Sequence, residues 1–172
     1  MKTTSSLSGT MQPVIRMAVA ADGDTVRTMV FHILQEYDVP ADPEGSDADV
    51  MEFGRPARPE VLHFVAEING RVVGSAILTP QLHNKIKVSK LFVHQNYRGF
   101  GLGRKLLRRA IAEARDRGYD EVFLTTRALY REAVSLYEAE KWLRGADQPP
   151  PGPDRLYYLP LMSDTHDAHL RR

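Results

Sequence analysis

The chain has no cysteine. Disulfides, thiolate metal ligands and a cysteine nucleophile are therefore excluded, and the redox compartment stays open. Neither sign of charge is in excess: 23 Lys and Arg against 22 Asp and Glu leave a formal net charge of +1. Such a balance exerts no general pull on nucleic acid or membrane. No apolar run approaches the length of a membrane span. The 6 histidines include no pair with metal-ligand spacing on one element. The Ser/Thr-rich start lacks the unbroken apolar stretch of a secretory signal. These absences give the expectation of a metal-free cytoplasmic protein with neither a nucleic-acid nor a membrane partner. What is present is 172 residues, 42% hydrophobic and 26% charged. That suits one domain with a substantial core. The expected layout is a disordered lead-in over 1–12 with Met11 as an alternative start, a single domain over 13–162, and a polar tail over 163–172.

The order of elements follows from periodicity. A short strand near Val14 to Ala18 precedes a helix capped by Asp22 or Asp24, with a buried stripe of Val26, Met29, Val30, Ile33, Leu34 and Tyr37. Pro40 is expected to end it. Residues 39–59 are acidic and then Pro/Gly-punctuated, with at most a short helix near Asp47 to Phe53. Alternating residues from Leu62 to Ile68, the turn pair Asn69-Gly70 and a return strand from Arg71 to Leu78 predict a hairpin, which Pro80 is expected to stop. In the next strand the apolar phase runs Ile86, Val88, then jumps to Leu91, Val93. Side chains alternate with a period of two, so the jump predicts a β-bulge near Ser89-Lys90. A helix over Leu102 to Arg117 with Gly118 as its cap follows, then a strand over Glu121 to Thr126 and a helix over Arg131 to Lys141. A proline-rich loop over Gln148 to Asp154 leads into a final strand over Arg155 to Met162. The expected fold is α/β with a mixed sheet, not the strict alternation of a dinucleotide-binding domain.

Between the bulged strand and the amphipathic helix lies Tyr97-Arg98-Gly99-Phe100-Gly101-Leu102-Gly103-Arg104. A strand, a glycine-rich turn and a helix start make an anion cradle: glycines let the backbone approach, and free amides and the helix dipole face the anion. A dinucleotide fingerprint fails, because its third glycine is required at 104 and stands at 103. A P-loop fails, because Gly103 is followed by Arg104 and Lys105 without a Ser or Thr after the lysine. Arg98-x-x-Gly101-x-Gly103 fits a third pattern, Arg/Gln-x-x-Gly-x-Gly/Ala. A plain turn that starts a helix is the competing reading. The helix beyond carries many Arg and Lys, diluted by Glu113 and Asp116, and reads as a solvated face.

Leu91-Phe92-Val93, this glycine loop and Ala133-x-x-Leu136-Tyr137, in this order of elements, resemble the GNAT acetyltransferase superfamily over roughly residues 14–162. The resemblance implies the GNAT fold: a mostly antiparallel sheet of six or seven strands, a central parallel pair splayed for a cofactor, and helices on both faces. It implies an N-acetyltransferase with acetyl-coenzyme A as donor and a small-molecule or peptide primary amine as acceptor. Amides from Arg98, Gly99, Phe100, Gly101, Leu102 and Gly103 would hold the cofactor's pyrophosphate, with Arg104 near its phosphates. Leu91, Phe92 and Val93 would pair with the pantetheine arm. A backbone amide near Val93 would stabilise the developing oxyanion. Tyr137 would donate a proton to the leaving thiolate; its competing reading is a core tyrosine anchoring helix to sheet. By analogy with such folds, the final strands would pair in a homodimer.

The chain departs from the family pattern at three places. Many members have a glutamate base early in the bulged strand, where this chain has Lys87. A lysine serves as a base only with a strongly depressed pKa. Glu36, Asp47, Asp49, His83 and His94 are the other candidates, with His94 read as structural. Lys141-Trp142 stands where Gly-Phe is common, so Lys141 must adopt the conformation that glycine favours. Tyr130 stands where some members have a cofactor-contacting asparagine. The missing glutamate sustains an alternative: a GNAT-fold module that binds coenzyme A without efficient turnover.

Overall fold

The computed structural model describes residues 12–161. The tail, Met11, Met162, His166, His169 and all of the expected lead-in except Gln12 lie outside the described residues. The elements are β1 (Pro13–Met17), α1 (Gly23–Glu36), α2 (Ala48–Met51), β2 (Leu62–Ile68), β3 (Arg71–Gln81), β4 (Lys85–Val93), α3 (Leu102–Asp116), β5 (Glu121–Thr126), α4 (Arg131–Ala139), β6 (Leu143–Arg144) and β7 (Arg155–Pro160). They build one seven-stranded sheet in the order β1-β2-β3-β4-β5-β7-β6. Every neighbouring pair is antiparallel except β4 and β5. This is the mixed α/β architecture that the resemblance implied.

Helices cover both faces. The α3 stripe of Leu106, Leu107, Ala110, Ile111 and Ala114 packs with Phe64, Ala76, Leu78, Ile86 and Val122 on one face. On the other, Val26, Met29, Val30 and Ile33 of α1 meet Val65 and Ile77, with Phe92 at the margin. Strand β2 therefore has both faces covered and is buried almost throughout, where its sequence pattern had implied an alternation. Asn69 (φ 50°) and Gly70 (φ 77°) form the expected left-handed turn between β2 and β3. Gly118, at φ 78°, closes α3 as its sequence position implied, with the Tyr119 amide reaching back to the Ala114 carbonyl.

Several elements differ from the sequence reading, α4 among them, which ends at Ala139 and not at Lys141. Helix α1 stops at Glu36, because Asp38 turns left-handed (φ 53°) and Val39 donates to the Leu34 carbonyl before Pro40 is reached. Strand β3 runs through Pro80 to Gln81. Strand β2 begins at Leu62, opposite Leu78, so Pro80 lies past the end of that ladder, where a missing N–H costs little. The two-residue β6 beside β7 had no sequence signal.

At the start of α1, Asp22 takes the N-cap position but gives α1 no side-chain cap. Its carboxylate accepts from the Val19 amide (2.8 Å) and from both terminal nitrogens of Arg16 (2.8 and 3.0 Å). The Arg16 hydrogen bond, more than the Val19 amide, holds the Asp22 carboxyl below its ordinary range against the opposing effect of burial. A carboxyl depressed on folding adds stability above its unfolded pKa of about 3.9 and loses it as pH falls through the folded value. Asp22→Asn is therefore expected to lower the urea midpoint at pH 7, with the gap from wild type closing as the pH drops to about 3. A gap of the same size at both pH values would refute this account.

Candidate functional site

Strands β4 and β5 pair at only three positions, Lys85 with Glu121, Ile86 with Val122 and Lys87 with Phe123. Beyond them the strands part. The divergence has a local cause in β4. From Ser75 to Ile77 the partner strand advances two residues while β4 goes from Phe92 back to Ser89, three residues. The extra residue is Lys90, at φ 50°. This is the bulge that the jump in apolar phase implied. Two contacts hold it. The Ser75 hydroxyl donates to the Lys90 carbonyl (2.8 Å), and the Lys90 ammonium reaches Asp47 (3.2 Å), Asp49 (3.0 Å) and the Ser46 carbonyl (3.0 Å).

The parting strands leave a cleft of about 1030 Å³ that passes through the sheet. Its lining on the α3 and α4 side includes Val88, Leu91, Leu124, Leu136 and Tyr137; on the α1 side it includes Tyr37, Val39, Lys87, Phe92 and Tyr130. Leu91, Phe92 and Val93 border it with main chain that pairs with β3 up to Val93 and with nothing in β5.

At one end of the cleft stands the glycine loop. Gly99 (φ 83°) and Gly101 (φ 78°) are left-handed, and a side chain added at either would meet no atom within 4 Å. Their backbone conformation, and not crowding, selects glycine there. Helix α3 begins directly after Gly101. Among the described residues, no carbonyl or side chain accepts a hydrogen bond from the amides of Gly99, Phe100, Gly101, Leu102, Gly103 or Arg104. Unspent donors at a helix start form an anion site, and the residues present fit a diphosphate. Arg98 contributes differently. Its amide is turned to the Gln95 carbonyl (3.4 Å), and its guanidinium bonds the Val93 carbonyl (3.0 Å) and Glu36 (2.9 Å). Arg98 thus ties the loop to the end of β4 and to α1. Arg104 pairs with Glu140 (2.7 Å), and the Phe100 ring is exposed.

Tyr137 lies on α4, buried against Trp142 (ring centroids 5.8 Å apart) and Tyr157 (5.5 Å). The ring anchors helix to sheet, as the competing reading expected, and the residue also lines the cleft. No hydrogen bond to its hydroxyl occurs among the described residues. Burial pushes the phenol's pKa upward, with a smaller push from Tyr157, so it stays protonated throughout the neutral range. Trp142 fills the expected aromatic place, and Lys141 adopts the left-handed conformation (φ 61°) that its position demanded.

The candidate bases separate clearly. Asp47 and Asp49 are tied to Lys90, and Asp49 also accepts from the Ser89 hydroxyl (3.1 Å). Glu36 is engaged by Arg98. His83 sits exposed in the β3–β4 turn. His94 accepts from the Asn96 amide (3.1 Å) and stacks edge-on with Tyr97, the structural role expected of it. Lys87 lines the cleft at the last β4–β5 pair and has no carboxylate partner among the described residues. Burial lowers its pKa, with a further push from Lys90 and an opposing pull from Asp49.

Two features had no sequence signal. Tyr37, Phe92 and Tyr130 form an edge-to-face aromatic cluster in the cleft, with centroids 4.9 and 6.0 Å apart. His63, on β2, is buried and neutral in tendency, stacked on Phe53 and accepting from the Gly54 amide (2.9 Å). No group of acidic and histidine residues able to hold a metal occurs among the described residues, and no helix there is long and apolar enough to cross a membrane.

Comparison with known proteins places this site in a family. The model of the Acetyltransferase (GNAT) family matches residues 27–141, and the chain belongs to that family. It is 29% identical over 132 residues to the uncharacterized N-acetyltransferase YjgM of Escherichia coli, an alignment covering 73% of this chain and 79% of that protein. It spans only 36% of the length of a mouse relative, probable N-acetyltransferase family 8 member 5. A GNAT-family acetyltransferase structure from Staphylococcus aureus superposes with a TM-score of 0.77 at 21% identity, over 88% of this chain and 100% of that one. The structure of yncA from Salmonella typhimurium, a putative acetyltransferase with its cofactor acetyl-CoA, gives 0.71 at 22% identity, over 88% and 95%.

The bulge generates a stability prediction. Lys90→Met leaves Asp47, which is buried, without its cation. Removing one partner of a buried ion pair costs roughly 3 kcal/mol. Chemical denaturation of the variant should show a loss of that order, and Asp47→Asn in the same background should recover part of it. A loss under about 1 kcal/mol would mean that the pair is an ordinary surface contact.

Proposed function

We propose that this N-acetyltransferase transfers the acetyl group of acetyl-coenzyme A directly to a primary amine of a small molecule or peptide. The observation that carries the reading is the run of unspent amides over 99–104 at the end of a cleft that opens where β4 and β5 part. The amides from Gly99 to Arg104 take the diphosphate. The main chain of Leu91, Phe92 and Val93, unpaired toward β5, aligns the extended arm as an added strand would be aligned. Acetyl-coenzyme A supplies a thioester carbonyl carbon as electrophile.

The chain's own part in the chemistry is to orient, exclude water and handle protons. In the transfer, the amine nitrogen forms a bond to that carbon and the carbon–sulfur bond breaks. The amide near Val93 faces the carbonyl oxygen as negative charge develops on it. Tyr137 holds a proton on Oη, and the departing sulfur takes it. The attacking amine sheds its proton to water, since Asp47 and Asp49 are held by Lys90 and Glu36 by Arg98. Lys87 in the glutamate's place favours a second reading, a coenzyme A-binding module without turnover, which a thiol-release assay distinguishes. A homodimer through the last strands belongs to the same proposal, as does a cytoplasmic location.

Tyr137→Phe is expected to keep its melting temperature and cofactor affinity while kcat falls about 100-fold, within the usual range for a lost general acid. Because burial raises the phenol's pKa, wild-type kcat/KM should climb with pH as the acceptor amine deprotonates and show no descending limb below about pH 10. A variant as active as wild type would remove Tyr137 from the reaction. Gly101→Asp puts a carboxylate into the cradle. Coenzyme A should raise the melting temperature of wild type and leave that variant unmoved. An equal shift in both would move the diphosphate elsewhere.

A further inference from the structure

Lys87 sits in a row of residues that crosses the sheet on its α1 face. Its cross-strand partners are Thr79 on β3 and Phe123 on β5, and Phe123 in turn faces Tyr158 on β7. None is acidic. Lys85, two residues away, pairs with Glu121 (3.0 Å), and Lys90 pairs with Asp47 and Asp49. Lys87 alone of the three lacks a carboxylate partner among the described residues, although it is half-buried and borders the cleft. A lysine withdrawn from water without a counter-charge is costly. Its depressed pKa, caused first by burial and then by Lys90, reports the same unmet demand.

The surroundings say what would meet that demand. The acids of the 42–49 loop would be the natural attractants for a cationic acceptor, but the two nearest the bulge, Asp47 and Asp49, are engaged. Asp47 accepts from the Asp42 amide (2.9 Å) and pairs with Lys90, and Asp49 is held by Lys90 and Ser89. Beside Lys87 the α1 side of the cleft is apolar and aromatic: Tyr37, Val39, Pro40, Phe92 and Tyr130. This side offers the Lys87 cation and an apolar wall, with a carboxylate at its rim, Glu132, to which the Tyr37 hydroxyl donates (3.2 Å).

We infer that the acceptor is a primary amine that also carries a carboxylate and an apolar side chain, an apolar α-amino acid in type, and that the Lys87 ammonium receives the carboxylate. This rests on the transferase reading of the same cleft. The carboxylate cancels the charge that Lys87 would otherwise oppose to an incoming ammonium, since Lys90 is already paired with two aspartates. The apolar side chain packs on the aromatic cluster. The amine is then oriented toward the parting of β4 and β5. Lys87 acts as a binding residue, so the transfer step and its proton balance are unchanged.

The competing role, Lys87 as the proton acceptor, predicts something different. A base would matter equally for every amine, with or without a carboxylate.

The test compares L-phenylalanine, L-leucine and L-methionine with their amides, at matched concentrations of neutral amine. Thiol release is followed for wild type, Lys87→Gln and Lys87→Arg, and calorimetric titration of the same compounds into the coenzyme A-loaded protein is run in parallel. The expected result is that wild type prefers the acids at least tenfold in kcat/KM. Lys87→Gln should lose that preference through KM, with kcat for the amides changed less than twofold, and Lys87→Arg should restore most of it. Equal use or equal binding of acids and amides by wild type overturns the inference and leaves the transferase intact. So does a Lys87→Gln defect in kcat shared by acids and amides, which would make Lys87 the base. Acid-selective binding that depends on Lys87, without turnover of any amine, would support the inference and defeat the transferase reading instead. No binding of any acid overturns the inference.

Discussion

The site depends on one constraint: β4 and β5 can run side by side for only three residue pairs. A β-bulge adds a residue to one strand and bends it away from its neighbour. Here that residue is Lys90, a non-glycine residue in the left-handed region, which costs on the order of 1 kcal/mol or more. The cost is met locally. The Ser75 hydroxyl holds the Lys90 carbonyl that has left the ladder, and Asp47, Asp49 and the Ser46 carbonyl converge on its ammonium. The acidic loop before β2 is thus a strut that keeps the sheet open. Without the opening there would be no path through the sheet, and neither Tyr137 on one side nor Lys87 on the other would border a common space.

A second regularity is the pre-pairing of side-chain charges around the cleft. Arg98 is engaged by Glu36, Arg104 by Glu140, and Lys90 by two aspartates. Guanidinium groups that might have been expected to grip phosphate instead fix the loop and the helix start that present the amides. On the proposed reading, anion binding falls to the main chain of residues 99–104, whose donors need no side-chain reorganisation and are positioned by left-handed glycines and the α3 axis. Rigid placement of dipoles stabilises charge at smaller reorganisation cost than mobile lysines do. Arg98 has a structural part in the motif: its guanidinium fastens the end of β4 to the loop that follows it.

What the sequence disclosed was local chemistry. The glycine loop, the Asn69-Gly70 turn, the Gly118 cap and the bulge each arise from residues within a few positions of one another, and each was legible. The bulge was legible because side-chain alternation tolerates no silent insertion: Val88 and Leu91 cannot share a face otherwise. The family resemblance then assembled these pieces into a sheet order that no local rule contains. Illegible features depend on which strangers meet. Strand β6 is two residues long and exists because β7 offers an edge. Pro80 stays in β3 because β2 has already ended. Whether Asp47 and Asp49 were free to attract an amine could not be read from their own segment, since the answer lies 40 residues on, in Lys90. His63 gave no signal because its state is set by burial, against the opposing pull of Asp49 and Glu52, which only the fold brings near.

The substitution at 87 has a consequence for the whole reaction side of the sheet. A glutamate there would supply both a proton acceptor and a negative charge, and the acids of the 42–49 loop could remain structural without loss. With lysine there, Asp47 and Asp49 are taken up by Lys90, and a bare cationic amine meets Lys87 with no carboxylate paired to it among the described residues. Two like charges a few ångströms apart cost on the order of several kcal/mol at the effective dielectric of a partly buried site. On the inferred reading, such a cleft would favour amines that bring their own negative charge. In the proposed transfer the released proton goes to water, so the rate would follow the neutral fraction of the acceptor. An acceptor whose amine loses its proton more readily gains most from this arrangement. On that reading, selectivity and proton balance would be set by the same side chain, and both would follow from one inverted charge on the bulged strand.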